Sequence, residues 1–205
     1  MSAKKITIFT LISLIAFGLF LLGCDEDSSY DQRTVVYVSN VNDGAPFISD
    51  VLNQGDSLWT EDYSDYNTSD DFIEEDYLKI EFHNRPYSSV VDVSGSSLGD
   101  FLLTSYDVEF IRYDAGTVPV RPFRGQTSIL VPCDSKVEAL ILLVPFGEKQ
   151  VSPLADIQYD WDVEILAFAR ITFHGHEVQS EREIEFTANV TVNFGDPVEI
   201  EEDGN

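Results

Sequence analysis

The clearest signal in this chain is apolar–polar alternation with a period of two. In residues 77–83, Leu78, Ile80 and Phe82 alternate with polar side chains, the mark of a half-buried strand. Asn84-Arg85-Pro86 closes it. Residues 102–113 read as a long strand with Tyr106, Val108 and Phe110 on one face and Asp107 and Glu109 on the other. Residues 161–173 set Val163, Ile165, Ala167, Ala169, Ile171 and Phe173 against Glu164, Leu166, Phe168, Arg170 and Thr172. Residues 182–194 turn Ile184, Phe186, Ala188, Val190, Val192 and Phe194 one way, with acids, threonines and asparagines between them. Gly175 marks a turn, so 163–173 and 182–194 are expected to form an antiparallel hairpin with a connection longer than two residues.

Weaker extended pieces fall at 33–38, 47–52, 90–93 and 128–131. Residues 137–144 are apolar on both faces and bounded by Pro132 and Pro145, which favours a buried central strand over a helix. Residues 115–126 carry Gly116, Pro119, Pro122 and Gly125 and read as irregular, and 152–155 as one helical turn. No long amphipathic helix emerges. The expectation is an all-β fold, an immunoglobulin-like antiparallel β-sandwich of about seven to nine strands. The Cys…Trp…Cys signature of antibody domains is missing, so the expectation concerns architecture.

The first residues follow another logic. Lys4 and Lys5 precede an apolar run, residues 6–22, that ends in Gly23-Cys24 and then turns acidic at Asp25-Glu26-Asp27. This is the layout of a secretory signal. The run of 17 residues falls short of the ~20 that span a membrane comfortably. Leu21-Leu22-Gly23-Cys24 resembles the lipobox of bacterial lipoproteins. That resemblance implies cleavage after Gly23 and lipidation of Cys24, with several acyl chains giving stable anchoring. The chain then divides into a signal peptide (1–23), a polar tether (24–32), one β-sandwich domain (33–198) and an acidic tail (199–205). Asp25 resembles an inner-membrane retention signal, and Asp25-Glu26-Asp27 equally resembles an acidic surface-export signal. The outer membrane is favoured as the commoner destination.

A wider resemblance rests on four stretches: the acidic segment before Glu75-Asp76-Tyr77, Asn84-Arg85-Pro86, the run from Tyr106 through Phe110, and the closing pair 169–175 and 190–194. Together they look like a group of uncharacterised bacterial lipoproteins with an immunoglobulin-like β-domain. The resemblance implies fold and location and carries no activity.

Charge narrows the partners. Removing residues 1–23 takes away Lys4 and Lys5 and no acid, moving the formal charge from −25 to −27. Such a chain lacks the basic footprint that nucleic acid needs and is repelled by anionic headgroups. Membrane contact is expected through the Cys24 lipid, with an envelope protein or a polysaccharide as partner. With Cys24 lipidated, Cys133 has no cysteine partner in the chain and is expected as a small buried residue.

Candidate chemistry is sparse. Residues 56–76 carry nine acids and no lysine or arginine, so they are expected as a solvated loop. Within it Asp65, Asn67, Ser69, Asp71 and Asp76 have the oxygen-ligand rhythm of a calcium loop. The rhythm departs at Asp70, where glycine belongs, and at Asp76, where a bidentate glutamate belongs. Trp59, Tyr63 and Tyr66 make the same loop a candidate polysaccharide contact. His174 and His176, with Glu177 and His83, form a candidate metal set if the fold gathers them. Arg112, Arg121 and Arg124 are a candidate carboxylate grip, or neutralise the chain's own acids. There is no Gly-x-Ser-x-Gly, phosphate-cradling loop or dinucleotide fingerprint, and no enzyme is expected. The favoured reading is a non-enzymatic envelope lipoprotein. The alternative is a calcium- or polysaccharide-binding lipoprotein that uses the 56–76 loop.

Overall fold

The computed structural model describes residues 34–53, 71–87, 99–160 and 162–195, all within the compact unit Arg33–Asn205. Eight strands account for most of them: β1 Thr34–Val41, β2 Phe47–Asp50, β3 Asp76–Pro86, β4 Phe101–Arg112, β5 Phe123–Val131, β6 Ser135–Val144, β7 Ile165–Glu177 and β8 Glu183–Gly195. They form two sheets, ordered β1-β3-β6 and β2-β8-β7-β4-β5. The opening segment is split between the sheets: β1 pairs antiparallel with β3, and β2 crosses to run parallel to β8. With hairpins β4–β5 and β7–β8 in the larger sheet, this is the immunoglobulin-like topology of an all-β sandwich.

Alternation builds the core. Leu78, Ile80 and Phe82 of β3 are fully buried, as are Ala167, Ala169, Ile171 and Phe173 of β7 and Val192 and Phe194 of β8. Phe82 meets Phe173 edge-on at 5.1 Å, and Phe173 stacks on Phe186 at 5.2 Å. Burying each such ring is worth ~1.5–3 kcal/mol, so these faces determine how the sheets stack. In β4 both Leu103 and Tyr106 point inward although three residues apart, because a bulge between Leu103 and Ser105 shifts the phase. The Tyr106 hydroxyl donates to the Leu142 carbonyl at 3.1 Å and ties one sheet to the other. Its ring lies over Gly125, where a Cβ would come within 2.1 Å of Cζ.

Four expectations are corrected. Gly175 is not a turn: β7 runs through it to Glu177, paired on both sides, and the hairpin turns at residues 178–182. Glycine is needed there because a Cβ would meet the Leu102 carbonyl at 2.2 Å and the Phe101 ring at 2.4 Å. Among the described strands β6 is an edge of its sheet rather than central, and Leu140, on its outward face with Lys136 and Glu138, stands 66% exposed. The irregular stretch at 115–126 ends early, since β5 begins at Phe123. Helix appears at Phe146–Lys149, with a 3-10 turn at Ala155–Ile157 in place of 152–155. The piece at 90–93 lies outside the described residues.

Register separates the two ends of the sandwich. Thr34, Pro86, Ser135 and Glu177 gather at one end. Val41, Asp50, Asp76, Val144, Ile165 and Gly195 lie at the other, where the strands flanking the acidic segment enter and leave.

Candidate functional site

The end that carries the acidic segment is built on a buried lysine. Lys149 closes a single helical turn after β6 and is 1% exposed. Its Nζ donates to Asp76 Oδ1 at 2.8 Å and to the Asp50 carbonyl at 2.5 Å. Ser49 Oγ, fully buried at the end of β2, donates to the other Asp76 oxygen at 2.5 Å. Burial raises the pKa of Asp76, and the lysine and serine that hold its oxygens only partly oppose that shift. Gln158 donates to the Lys149 carbonyl at 2.9 Å and locks the turn beneath it. A backbone bridge between Asn53 and Phe72 closes the neck of the acidic segment.

This bears on the calcium rhythm. Asp65, Asn67 and Ser69 lie outside the described residues. Asp71 accepts a hydrogen bond from the Tyr159 hydroxyl at 3.1 Å. Asp76 has both oxygens directed at Ser49 and Lys149.

The histidines do not converge. His174 sits on the outer face of the five-stranded sheet, with Nε2 2.7 Å from Asp107 of β4 and Nδ1 3.4 Å from Glu185 of β8. The two carboxylates face opposite ring nitrogens, so they brace the ring and do not share an ion with it. His176 is level with Leu102 and Glu183. His83 belongs to the other sheet, its Nδ1 2.7 Å from the Tyr37 hydroxyl. Glu177 is buried and accepts from the Thr34 amide and hydroxyl and from Ser180. Among the described residues no group of three or more His, Cys, Asp or Glu side chains is placed to hold a metal ion.

The arginines are also separate. Arg112 forks onto Asp114 at 2.8 and 2.7 Å and reaches the Val118 carbonyl at 2.6 Å, so it staples the connection between β4 and β5. Its guanidinium pulls the Asp114 carboxyl down to about 2. Arg124 donates to Ser105 at 3.0 Å on the sheet face, and Arg121 is exposed. Cys133 is half-buried and free, and burial pushes its thiol pKa up, away from nucleophilic use.

An apolar patch on the outer face of the five-stranded sheet is the feature that sequence reasoning passed over. Tyr113 and Phe168 pack with ring centroids 4.7 Å apart, and Ile111 sits directly across from Phe168. These side chains are 45%, 46% and 37% exposed, on a face that also carries Glu109, Arg170, Thr172 and Glu185 and, farther along, exposed Leu130 and Ile48. Glu109, paired with Arg170 at 3.3 Å, stands two positions before Ile111, and exposed Glu164 two before Leu166. The signal was present in the sequence, since Phe168 and Leu166 break the polar side of an otherwise clean alternation. Lys149 left only a weaker trace, as a lone basic residue between Lys136 and Arg170.

Comparison with protein families, with characterised proteins and with solved structures finds no match for this chain.

Proposed function

We propose that this chain is a lipid-anchored protein of the bacterial envelope whose β-sandwich acts as a non-enzymatic interaction module. The anchor reading rests on Leu21-Leu22-Gly23-Cys24 and its resemblance to a lipobox. Nine residues, 25–33, separate that cysteine from β1, a reach of at most roughly 35 Å over the ten Cα–Cα steps when fully extended. The outer membrane is the favoured site.

The observation that carries the interaction reading is the exposed pair Tyr113 and Phe168 with Ile111 on a sheet face. Contiguous apolar surface rimmed by polar groups marks interaction sites, and aromatic side chains dominate the energetics of protein interfaces. A formal charge near −27 in the mature chain disfavours a second copy as the occupant. It suits a protein partner with basic groups around an apolar centre.

Two experiments test the two halves. Full-length protein carrying Cys24→Ala should lose lipid labelling and leave the membrane fraction. Labelling that survives the substitution overturns the anchor. A photo-reactive amino acid at position 168 should give one discrete adduct in intact envelopes, weakened by Glu109→Lys with Glu164→Lys. The same probe at position 136, on the other sheet, should give none. Equal adducts at both positions, or none at 168, overturns the interaction surface.

A further inference from the structure

The Lys149–Asp76 pair has more than an ion pair requires. The amine is almost completely enclosed, and the carboxylate side chain is 13% exposed. With Nζ 2.8 Å from Oδ1, the carboxyl carbon Cγ lies at most ~4 Å from the amine, given a C–O bond of ~1.2 Å. The remaining polar atoms are arranged around these two groups. The Asp50 carbonyl accepts one N–H of Lys149, and the Ser49 hydroxyl donates to Oδ2. The partners come from distant parts of the chain, β2, the first residue of β3 and the turn after β6, so the fold itself brings amine and acid together.

We propose that Lys149 and Asp76 condense into an isopeptide bond between Nζ and Cγ, a covalent cross-link at the acidic-segment end of the sandwich. The reacting form is the neutral pair, reached from the ion pair by moving one proton from Nζ to the carboxyl group. Burial lowers the cost of reaching that form from the ion pair, because two opposite charges enclosed away from water lose more hydration than a neutral amine and acid do. The raised pKa of Asp76 agrees with it. The Nζ lone pair then attacks Cγ and an N–C bond forms. The Ser49 hydroxyl, hydrogen-bonded to Oδ2, polarises the carboxyl and stays on the oxygen that becomes the amide carbonyl, while Oδ1, already in contact with Nζ, is the departing oxygen. One C–O bond breaks, and that oxygen leaves as water with one proton from the carboxyl and one from the amine. No electrons are exchanged and no co-reactant is needed. Holding amine and acid in contact replaces a bimolecular encounter, the source of large effective concentrations in enclosed sites. The product keeps the same partners: the amide N–H still faces the Asp50 carbonyl, and the amide oxygen can accept from Ser49.

The test is mass spectrometry of the full-length protein with an intact-mass and a peptide readout. The cross-linked chain is lighter than its processed sequence by one water. Trypsin should fail to cut after Lys149 and should release residues 34–79 joined to residues 137–170. Asp76→Asn should give the same product by losing ammonia, whereas Lys149→Arg, which keeps the charge but cannot condense, should retain the full sequence mass. A native protein at full sequence mass that is cleaved after Lys149 overturns the proposal. So does a water loss that persists in Lys149→Arg or maps to another peptide. Asp76→Ala supplies the same control if the arginine does not fit its enclosure.

Discussion

Replacing Glu177 by alanine should loosen the end of the domain where β1 begins. Glu177 is 1% exposed, and its Oε1 accepts from both the amide and the hydroxyl of Thr34 at 3.1 Å. Its Oε2 accepts from Ser180 at 2.6 Å in the β7–β8 turn. One side chain therefore joins the first residue of β1 to the last hairpin, 143 positions later. Alanine removes the acceptor from two donors on a fully buried residue. A buried donor stripped of its acceptor costs ~1–3 kcal/mol. The amide cannot turn away and bears most of that cost, the Thr34 hydroxyl can rotate, and Ser180 can reach water. About 3 kcal/mol is expected in total. With a urea slope of about 2 kcal/mol per molar, the unfolding midpoint should fall by about 1.5 M. Glutamine keeps an oxygen toward Thr34 and should cost about 1 kcal/mol. Amide exchange at Thr34, Val35 and Val36 should quicken in the alanine variant before exchange in β7 does. An alanine midpoint within 0.2 M of the native protein would refute the clamp. If glutamine proved as damaging as alanine, charge rather than acceptor geometry would be holding Thr34.

Other expectations follow from the same geometry. Gly175→Ala should destabilise by more than ~2 kcal/mol, since its methyl must displace a strand carbonyl as well as the Phe101 ring; a thermal melt that matches the native protein would contradict the close approach. Asp114 has its folded pKa depressed to about 2 by Arg112, so its contribution is complete above the ordinary carboxylate pKa near 4 and fades as pH falls toward 2. Solvent screening holds that contribution to about 1 kcal/mol. Asp114→Asn should therefore cost that amount at neutral pH and only a small part of it at pH 2, and a loss that does not vary with pH would show that packing is responsible. Calcium at millimolar concentration should leave the melting temperature unchanged, because Asp76 already directs both oxygens at Lys149 and Ser49. A rise of several degrees, reversed by a chelator, would return the calcium rhythm of Asp65, Asn67, Ser69, Asp71 and Asp76 to consideration.

Strands whose two faces differ were legible in the sequence. The β3, β7 and β8 strands could be recognised because each buries one face, and burying every second side chain prints a period of two on the chain. The all-β class and the sandwich follow from counting such strands. Alternation says nothing about a strand's neighbours, and there the structure decided. An apolar run like that of β6 can serve as a centre or as an edge, and only its pairing partners separate the two. Gly175 carries the composition of a turn, yet its lack of a side chain serves the close approach of Phe101 and Leu102 from β4. The same holds for chemistry. Residues near in sequence, such as His174, His176 and Glu177, were dispersed: one braced by carboxylates, one level with Glu183, one buried against Thr34. Lys149, Asp76 and Ser49 share no local motif and meet because β2, β3 and the turn after β6 end at one place. Periodicity is a local property of the chain and can be read from it, whereas convergence depends on which strands pair and in what register, which only the packed sheets specify.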